Sequence, residues 1–330
     1  MTKRSRNSVM RVRDWKPDSY PFTVPASDYE LSRLFPKDEL LEDLRYMVDK
    51  FIEIHPNLFF SISRAELSDQ IEEFRIGISK PLTRLEFYRR IAPIAASFDD
   101  GHTMVSVPHE EFSKSDEAGN IRFPFSVDCS GSRIFLAGTP LKTCRKFLGS
   151  ELLGINGEPI AAILSEMRSV LTGEKTDFKC SCIPMLFYKL LFILREGSVS
   201  YSLVISGGSA PETISVPGVN RRQSRITSLV GPEQHAEPYF FEVIDDHDCA
   251  ILTLLRCEDI ERFREFCSEL FTVLDRNSIG TLLIDLRHNG GGTSDIGDEL
   301  CAYLTEKPFF QFSGMEMKIS RKIKKLYADR

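Results

Sequence analysis

Two short stretches carry residue types that could do chemistry. The first is Thr281 to Ser294, TLLIDLRHNGGGTS. Its apolar residues Leu282, Leu283, Ile284 and Leu286, with Asp285 among them, predict a buried strand of a mostly parallel sheet. The strand runs into Asn289-Gly290-Gly291-Gly292 and then into a helical pattern from Ser294 to Leu304. Glycine has no Cβ, so the backbone here can take φ > 0 and lie close to a ligand. Strand, glycine turn and helix together aim backbone N–H groups into a cleft. Such groups can hold a phosphate or the oxyanion of an acyl-transfer intermediate. Phosphate fits less well. The Gly-Lys-Ser/Thr of a P-loop is absent, and Asp295 stands where a dinucleotide fingerprint needs its last glycine. Asp295, Asp298 and Glu299 also put negative charge at the helix start, against a bound phosphate. The competing reading is a tight turn with no ligand.

The second stretch is Asp99-Asp100-Gly101-His102-Thr103, where a helical region gives way to an expected strand. A neutral histidine is the commonest general base near neutral pH, and loop ends hold such groups beside clefts. The competing reading is a hydrogen-bonded histidine in a turn set by Asp-Gly. The other histidines are weaker candidates. His55 precedes Pro56 as a capping group, His109, His235 and His247 sit in polar stretches, and His288 lies in the glycine loop. Asp285 is expected to pair with Arg287 or brace the loop. The eight cysteines fit reduced, mostly buried thiols. Cys180-Ser181-Cys182 is the one close pair and has no second pair at ligand spacing, so neither a metal nor another cofactor is expected.

These stretches need elements to position them. Leu40, Leu41, Leu44, Met47, Val48, Phe51 and Ile52 recur at helical spacing. Ser63-Arg64-Ala65-Glu66 and Thr83-Arg84-Leu85-Glu86 have the capping-box pattern, so three helices are predicted over roughly 38–98. Strands are predicted at Met104–Val107, Phe123–Val127, Arg133–Ala137, Leu152–Ile155, Val199–Ile205 and Thr213–Val216. Asn156-Gly157 is a tight turn, with a helix from Pro159 to Leu171 after it, and another helix covers Ile183–Leu194. Gly207-Gly208 is a turn and 218–238 a polar loop. The last region alternates strand (Cys249–Leu255), helix (Asp259–Asp275), strand and helix, a βαβα unit with a right-handed crossover.

Composition narrows the function classes. The net charge of −6 argues against nucleic acid as a partner, and the basic residues at both ends read as solvated tails. No apolar run is long enough to span a bilayer. The N-terminus is basic without an apolar core, so it does not read as a signal peptide and the chain reads as cytoplasmic.

The motifs LLIDLRHNGGGTSDIGDELCAYL, FDDGHTMVSVP and GSELLGINGEPI, in this reverse chain order, resemble those of the tail-specific (C-terminal processing) and tricorn-core serine peptidases. IEIHPNLFF and PLTRLEFYRRIAPIAASFDDGHT resemble the N-terminal helical region of exported bacterial members. An altered N-terminus relative to those members would make this chain an exported one as well. The resemblance covers roughly 38–320 and implies an α/β fold. An irregular arm (1–37) precedes a helical subdomain ending in the DGHT motif (38–107). A PDZ-like β-rich region (108–220) and an α/β peptidase core (221–330) follow.

The resemblance implies His102 as general base and the Gly290 and Gly291 amides as oxyanion donors. It implies Gly149, Leu152, Ile155, Asn156 and Gly157 as the segment that binds a peptide or protein substrate, by its C-terminus. The family's nucleophile lies in a later T-x-S-x-A/S-x-E-like stretch, followed in one branch by a Lys base, and neither is found here. Ser294 is expected to cap its helix, and Ser313 and Ser320 lack a small-residue helix after them. The expectation is therefore a peptidase homologue cut short before its nucleophile, with an incomplete core, inactive alone and prone to self-association through an open edge. The alternatives are a non-catalytic peptide-binding or scaffold protein and, more remotely, a binder of a small lipophilic ligand.

Overall fold

The computed structural model describes residues 32–314 and 318–324, except 118, 120, 132, 208–209, 221–222, 224–236, 245–247 and 322–323. Most of the 1–37 arm, the Gly207-Gly208 turn in part, most of the 218–238 loop, His235 and His247 lie outside the described residues.

The three predicted helices are present as α1 (Lys37–Ile54), α2 (Arg64–Gly77) and α3 (Arg84–Ala96). Both capping boxes form. Ser63 Oγ accepts from Glu66 N–H while the Ser63 N–H donates to Glu66, and Thr83 and Glu86 do the same. These reciprocal bonds satisfy N–H groups that a helix start leaves without partners. Leu40, Leu44, Val48, Leu67, Phe74, Ile91 and Phe98 bury one face of each helix in a shared core.

Met104–Val107, predicted as a strand, has no ladder partner among the described residues and leads into a helix, α4 (His109–Glu117). Pro108 and the acidic Glu110 and Glu111 favour a helix start there.

The next lobe is β-rich. β1 (Ser126–Ser130) and β2 (Arg133–Gly138) form an antiparallel pair. β3 (Leu152–Ile155), β4 (Glu158–Pro159), β5 (Ser200–Ile205) and β6 (Glu212–Pro217) form an antiparallel sheet in the order β4-β3-β5-β6. A bridge between Phe135 and Glu151 links the two sheets. Asn156 and Gly157 take φ of 51° and 86°, the left-handed pair that a two-residue hairpin demands. Two helices cover the sheet, α5 (Ile160–Ser169) and α6 (Thr176–Arg195). α6 starts seven residues before the predicted Ile183 because its first two turns, TDFKCSC, are half-polar and lack an apolar stripe.

The third unit holds β7 (Tyr239–Ile244), β8 (Cys249–Leu254), α7 (Ile260–Arg276), β9 (Thr281–Asp285) and α8 (Asp295–Leu304). β8 and β9 are parallel across α7, as predicted. β7, a segment for which the sequence predicts no element, pairs antiparallel with β8 and makes the sheet mixed. Phe263, Cys267 and Leu270 of α7 pack on Ala250, Leu252 and Leu254. β9 is not the buried strand predicted. It stands at the sheet edge with Leu283 53% and Ile284 36% exposed, because it has one ladder neighbour and its outward residues meet no cover among the described residues. The architecture is mixed α/β, with helical, β-rich and α/β parts in chain order. None of the described helices is long and apolar enough to cross a membrane.

Leu152 and Ile155 are 0% and 3% exposed and pack in the β-rich core. Leu152→Ala is expected to lower unfolding stability by about 2–5 kcal/mol, the range for a buried large-to-small change. Urea denaturation checks it. A change below about 0.5 kcal/mol, the range of surface sites, would remove Leu152 from the core.

Candidate active site

The DGHT loop leaves α3 through Asp99, whose φ of 49° turns the chain. It is held from several sides. Lys179 of α6 donates to Asp99 Oδ1 at 2.9 Å, and the Gly101 N–H donates to Glu174 at 3.3 Å. At its centre is Asp100. Its Oδ1 accepts the His102 backbone N–H at 3.1 Å. Its Oδ2 accepts the Thr103 hydroxyl at 2.5 Å and lies 3.1 Å from His55 Nε2. His55 Nδ1 accepts the Asn57 N–H at 3.0 Å, so the ring proton sits on Nε2 and is donated to Asp100. Burial alone would raise the Asp100 carboxyl. The bonds from Thr103, His102 and His55 outweigh it and hold the group below its ordinary 3.8. The His102 side chain is 99% exposed, with Nδ1 3.9 Å from Asp100 Oδ1.

The glycine turn is docked by backbone bonds. Gly290 N–H donates to Leu255 O at 2.9 Å, Cys257 N–H to Gly291 O at 2.8 Å, and Thr293 N–H to Cys257 O at 2.8 Å. Asn289 braces the turn through Nδ2 to Leu254 O at 2.8 Å and Oδ1 to Gly291 N–H at 2.7 Å. Gly292 has φ 140°, and a Cβ there would meet Cys257 O at 2.0 Å. The two amides expected to face an oxyanion are thus both occupied within the chain: the same bonds that dock the turn use its donors. Asp285 pairs with Arg287 as expected. The bidentate contact, at 2.9 and 2.6 Å, and the Arg287 N–H hold its carboxyl well below the usual range. Ser294 sits at the N-cap of α8 without a side-chain cap bond. Its φ and ψ are already helical, and Thr293 Oγ1 takes the Asp295 N–H instead.

Among the described residues no hydrogen bond, ion pair or shared core cluster joins His102 to the glycine turn. The chain beyond α8 does reach the DGHT region: Lys318 Nζ donates to Ile52 O at 2.6 Å and His55 O at 3.1 Å.

The segment expected to bind substrate is mostly structural. Leu152 and Ile155 face the core and are almost wholly buried. Asn156 exchanges two bonds with Ser202, its N–H to Ser202 O at 2.7 Å and its Oδ1 from Ser202 N–H at 2.9 Å. Gly149 (φ 83°) and Gly157 (φ 86°) face open space. A cavity of about 170 Å³ beside the hairpin is lined by Ile155, Asn156, Glu158, Arg195 and Tyr201 among others. Arg195 is clamped by Glu158 at 2.8 and 2.9 Å and by Glu166 at 2.5 Å, so its charge is already answered. Sequence reasoning singled out His102 and missed the pairing of His55 with Asp100, because 45 residues separate the partners. Among the described residues no cluster of three or more His, Cys, Asp or Glu could hold a metal ion.

No protein-family model and no curated protein matches the sequence. Solved structures do match. Mature CPAF aligns with a TM-score of 0.52 at 15% identity, covering 78% of this chain and 56% of that one. Mature CPAF complexed with lactacystin gives 0.51 at 14%, and a serine-to-alanine mutant of CPAF gives 0.54 at 14%. The fold resembles that of CPAF. At this identity the likeness speaks for the fold alone. The chain spans somewhat more than half of the CPAF structures, 56–57% of their length.

Two outcomes are expected. Gly292→Ala should cost about 1–3 kcal/mol through strain at a glycine-only φ, while Gly290→Ala, whose Cβ would lie 3.8 Å from Leu255 O, should cost less. Equal losses in denaturant melts would contradict the docked turn. Asp100 has a depressed folded pKa, so its contribution is complete above its ordinary 3.8 and is lost as pH falls further, through the folded value. Protection of the His102 and Thr103 amides, taken relative to their intrinsic exchange, should therefore fall on acidification below about pH 4 and lose that dependence in Asp100→Asn.

Proposed function

We propose that the chain is a serine-peptidase-like protein related to the tail-specific and tricorn-core peptidases, acting on or binding peptide or protein substrates. The observation that carries this reading is the DGHT loop: an exposed imidazole on a loop pinned by Asp100, Lys179 and Glu174, within a CPAF-like fold. On this reading His102 takes the proton of an attacking hydroxyl. The Gly290 and Gly291 amides leave their present acceptors to hold the tetrahedral oxyanion, each worth about 3 kcal/mol of transition-state stabilisation. The β-rich lobe is the PDZ-like region. Substrate contact there falls to the open backbone at Gly149 and Gly157, since Leu152 and Ile155 are committed to the core.

No serine in these 330 residues stands in a T-x-S-x-A/S-x-E-like stretch. The nucleophile is therefore assigned to no residue described above. The second reading, a peptide-binding protein that does not cleave, is favoured by one observation: both oxyanion amides are engaged within the chain.

The test is turnover of a peptide pool by the chain and by His102→Ala, with a serine-directed fluorophosphonate and calorimetric peptide binding alongside. Binding without turnover is expected of the chain alone, since an unpartnered base gives weak catalysis. Turnover that His102→Ala abolishes, with one serine labelled, would place a nucleophile in these residues and remove the binding-only reading. Neither binding nor turnover with any peptide would remove both readings.

A further inference from the structure

The carboxylate of Asp100 divides its two oxygens between two histidines. Oδ2 takes the His55 Nε2–H at 3.1 Å and the Thr103 hydroxyl at 2.5 Å, while Oδ1 takes the His102 backbone N–H at 3.1 Å. The same Oδ1 lies 3.9 Å from His102 Nδ1. Among the described residues nothing else fixes the His102 ring, which is 99% exposed. His55 is itself fixed from both sides. Asn57 N–H occupies its Nδ1, and Lys318 Nζ sits on its carbonyl at 3.1 Å. His55 and Asp100 are each about a quarter exposed, so both keep their partners in a semi-enclosed setting where such bonds are stronger than in water.

We infer that Asp100, anchored by His55, is the positioning residue for His102. A turn of the exposed His102 ring closes the 3.9 Å gap to Oδ1. The ring proton then sits on Nδ1, donated to Asp100, and the lone pair on Nε2 faces outward. That is the orientation a general base needs, with a carboxylate holding the tautomer and the far nitrogen free. His55 acts one step behind. By holding Oδ2 it stops the carboxylate from rotating away, and Thr103 holds the same oxygen from the loop itself. Lys318 and the end of α1 set where His55 stands, so the segment after α8 takes part in placing the loop. The inference deepens the proposed function and rests on His102 acting as the base of that site.

The experiment reads the proton on the His102 ring directly, without substrate. Ring-nitrogen NMR of uniformly ¹⁵N-labelled protein near pH 8 distinguishes Nδ1–H from Nε2–H, and the spectrum of His102→Gln assigns the His102 signals. The wild type should carry the neutral His102 proton mainly on Nδ1. Asp100→Asn and His55→Leu should lose that bias. His55→Gln should keep it, because the amide N–H can still donate to Asp100 Oδ2. The His55 pair decides the matter should Asp100→Asn fail to fold. A role confined to loop stability would leave the His102 tautomer unmoved in every folded variant, and that result overturns the inference. So does a wild type with the proton on Nε2. Turnover measurements remain separate. Neither binding nor turnover of any peptide beside an Nδ1–H His102 removes the proposed function and leaves the positioning, whereas turnover beside an unbiased ring does the reverse.

Discussion

One carboxylate organises the candidate site. Asp100 is a short side chain at the end of α3, and it satisfies a backbone amide, a hydroxyl and an imidazole at once. An ionised carboxylate accepts several bonds but donates none, so a single aspartate can gather donors from separate elements. Here they come from α1's end and from the loop itself, while Lys179 and Glu174 of the α6 region fasten Asp99 and Gly101 beside it. Breaking the hub would free both the loop and the end of α1. The helices and the β-rich lobe matter to the site mainly because they bring these partners within reach.

The glycine turn obeys a different constraint, the closeness of two backbones. Gly292 lies so near Cys257 that a Cβ would meet its carbonyl at 2.0 Å, and the strip from Leu254 to Cys257 exchanges bonds with Asn289 through Thr293. Glycine permits the approach, and the approach then uses up the amides that glycine exposes. Turn and DGHT loop are therefore each well determined locally, while His102 and the turn share no hydrogen bond, ion pair or core cluster among the described residues.

Much of this was legible in the sequence where a local rule decides the structure. The capping boxes at Ser63 and Thr83, the Asn156-Gly157 hairpin and the crossover from β8 through α7 to β9 all follow from short-range chemistry. The misses have physical causes. α6 began early because helix formation does not require an apolar stripe in its first turns. Met104–Val107 is mostly apolar, as a strand is, but finds no partner edge among the described residues. For β9 the sequence reports that Leu283 and Ile284 are apolar, not what stands over them; in the structure both remain exposed. At the site, His102 stood out by type, but the pairing of His55 with Asp100 is tertiary and leaves no mark in spacing. The resemblance transfers positions and names Leu152 and Ile155 for a ligand; what it does not carry is their burial in the β-rich core.

Magnitudes decide whether occupied amides bar an oxyanion role. Each neutral hydrogen bond contributes a net ~0.5–1.5 kcal/mol, so releasing Gly290 from Leu255 and Gly291 from Asn289 costs about 1–3 kcal/mol. One oxyanion donor is worth about 3 kcal/mol in the transition state, and two exceed the cost of release. The exchange is also asymmetric. Gly291 gives up a side-chain acceptor, Asn289 Oδ1, which a rotation can withdraw, whereas Gly290 must leave the Leu255 carbonyl that docks the turn. Asn289 is therefore the residue whose rotation would govern the Gly291 amide, and that rotation also gives up its Nδ2 bond to Leu254 O. Asn289→Ala separates the two amides. It removes the acceptor of one and leaves the other's in place, but it also removes the Nδ2 brace to Leu254 O, so a denaturant melt beside the anion or peptide binding separates the Gly291 contribution from loss of the turn.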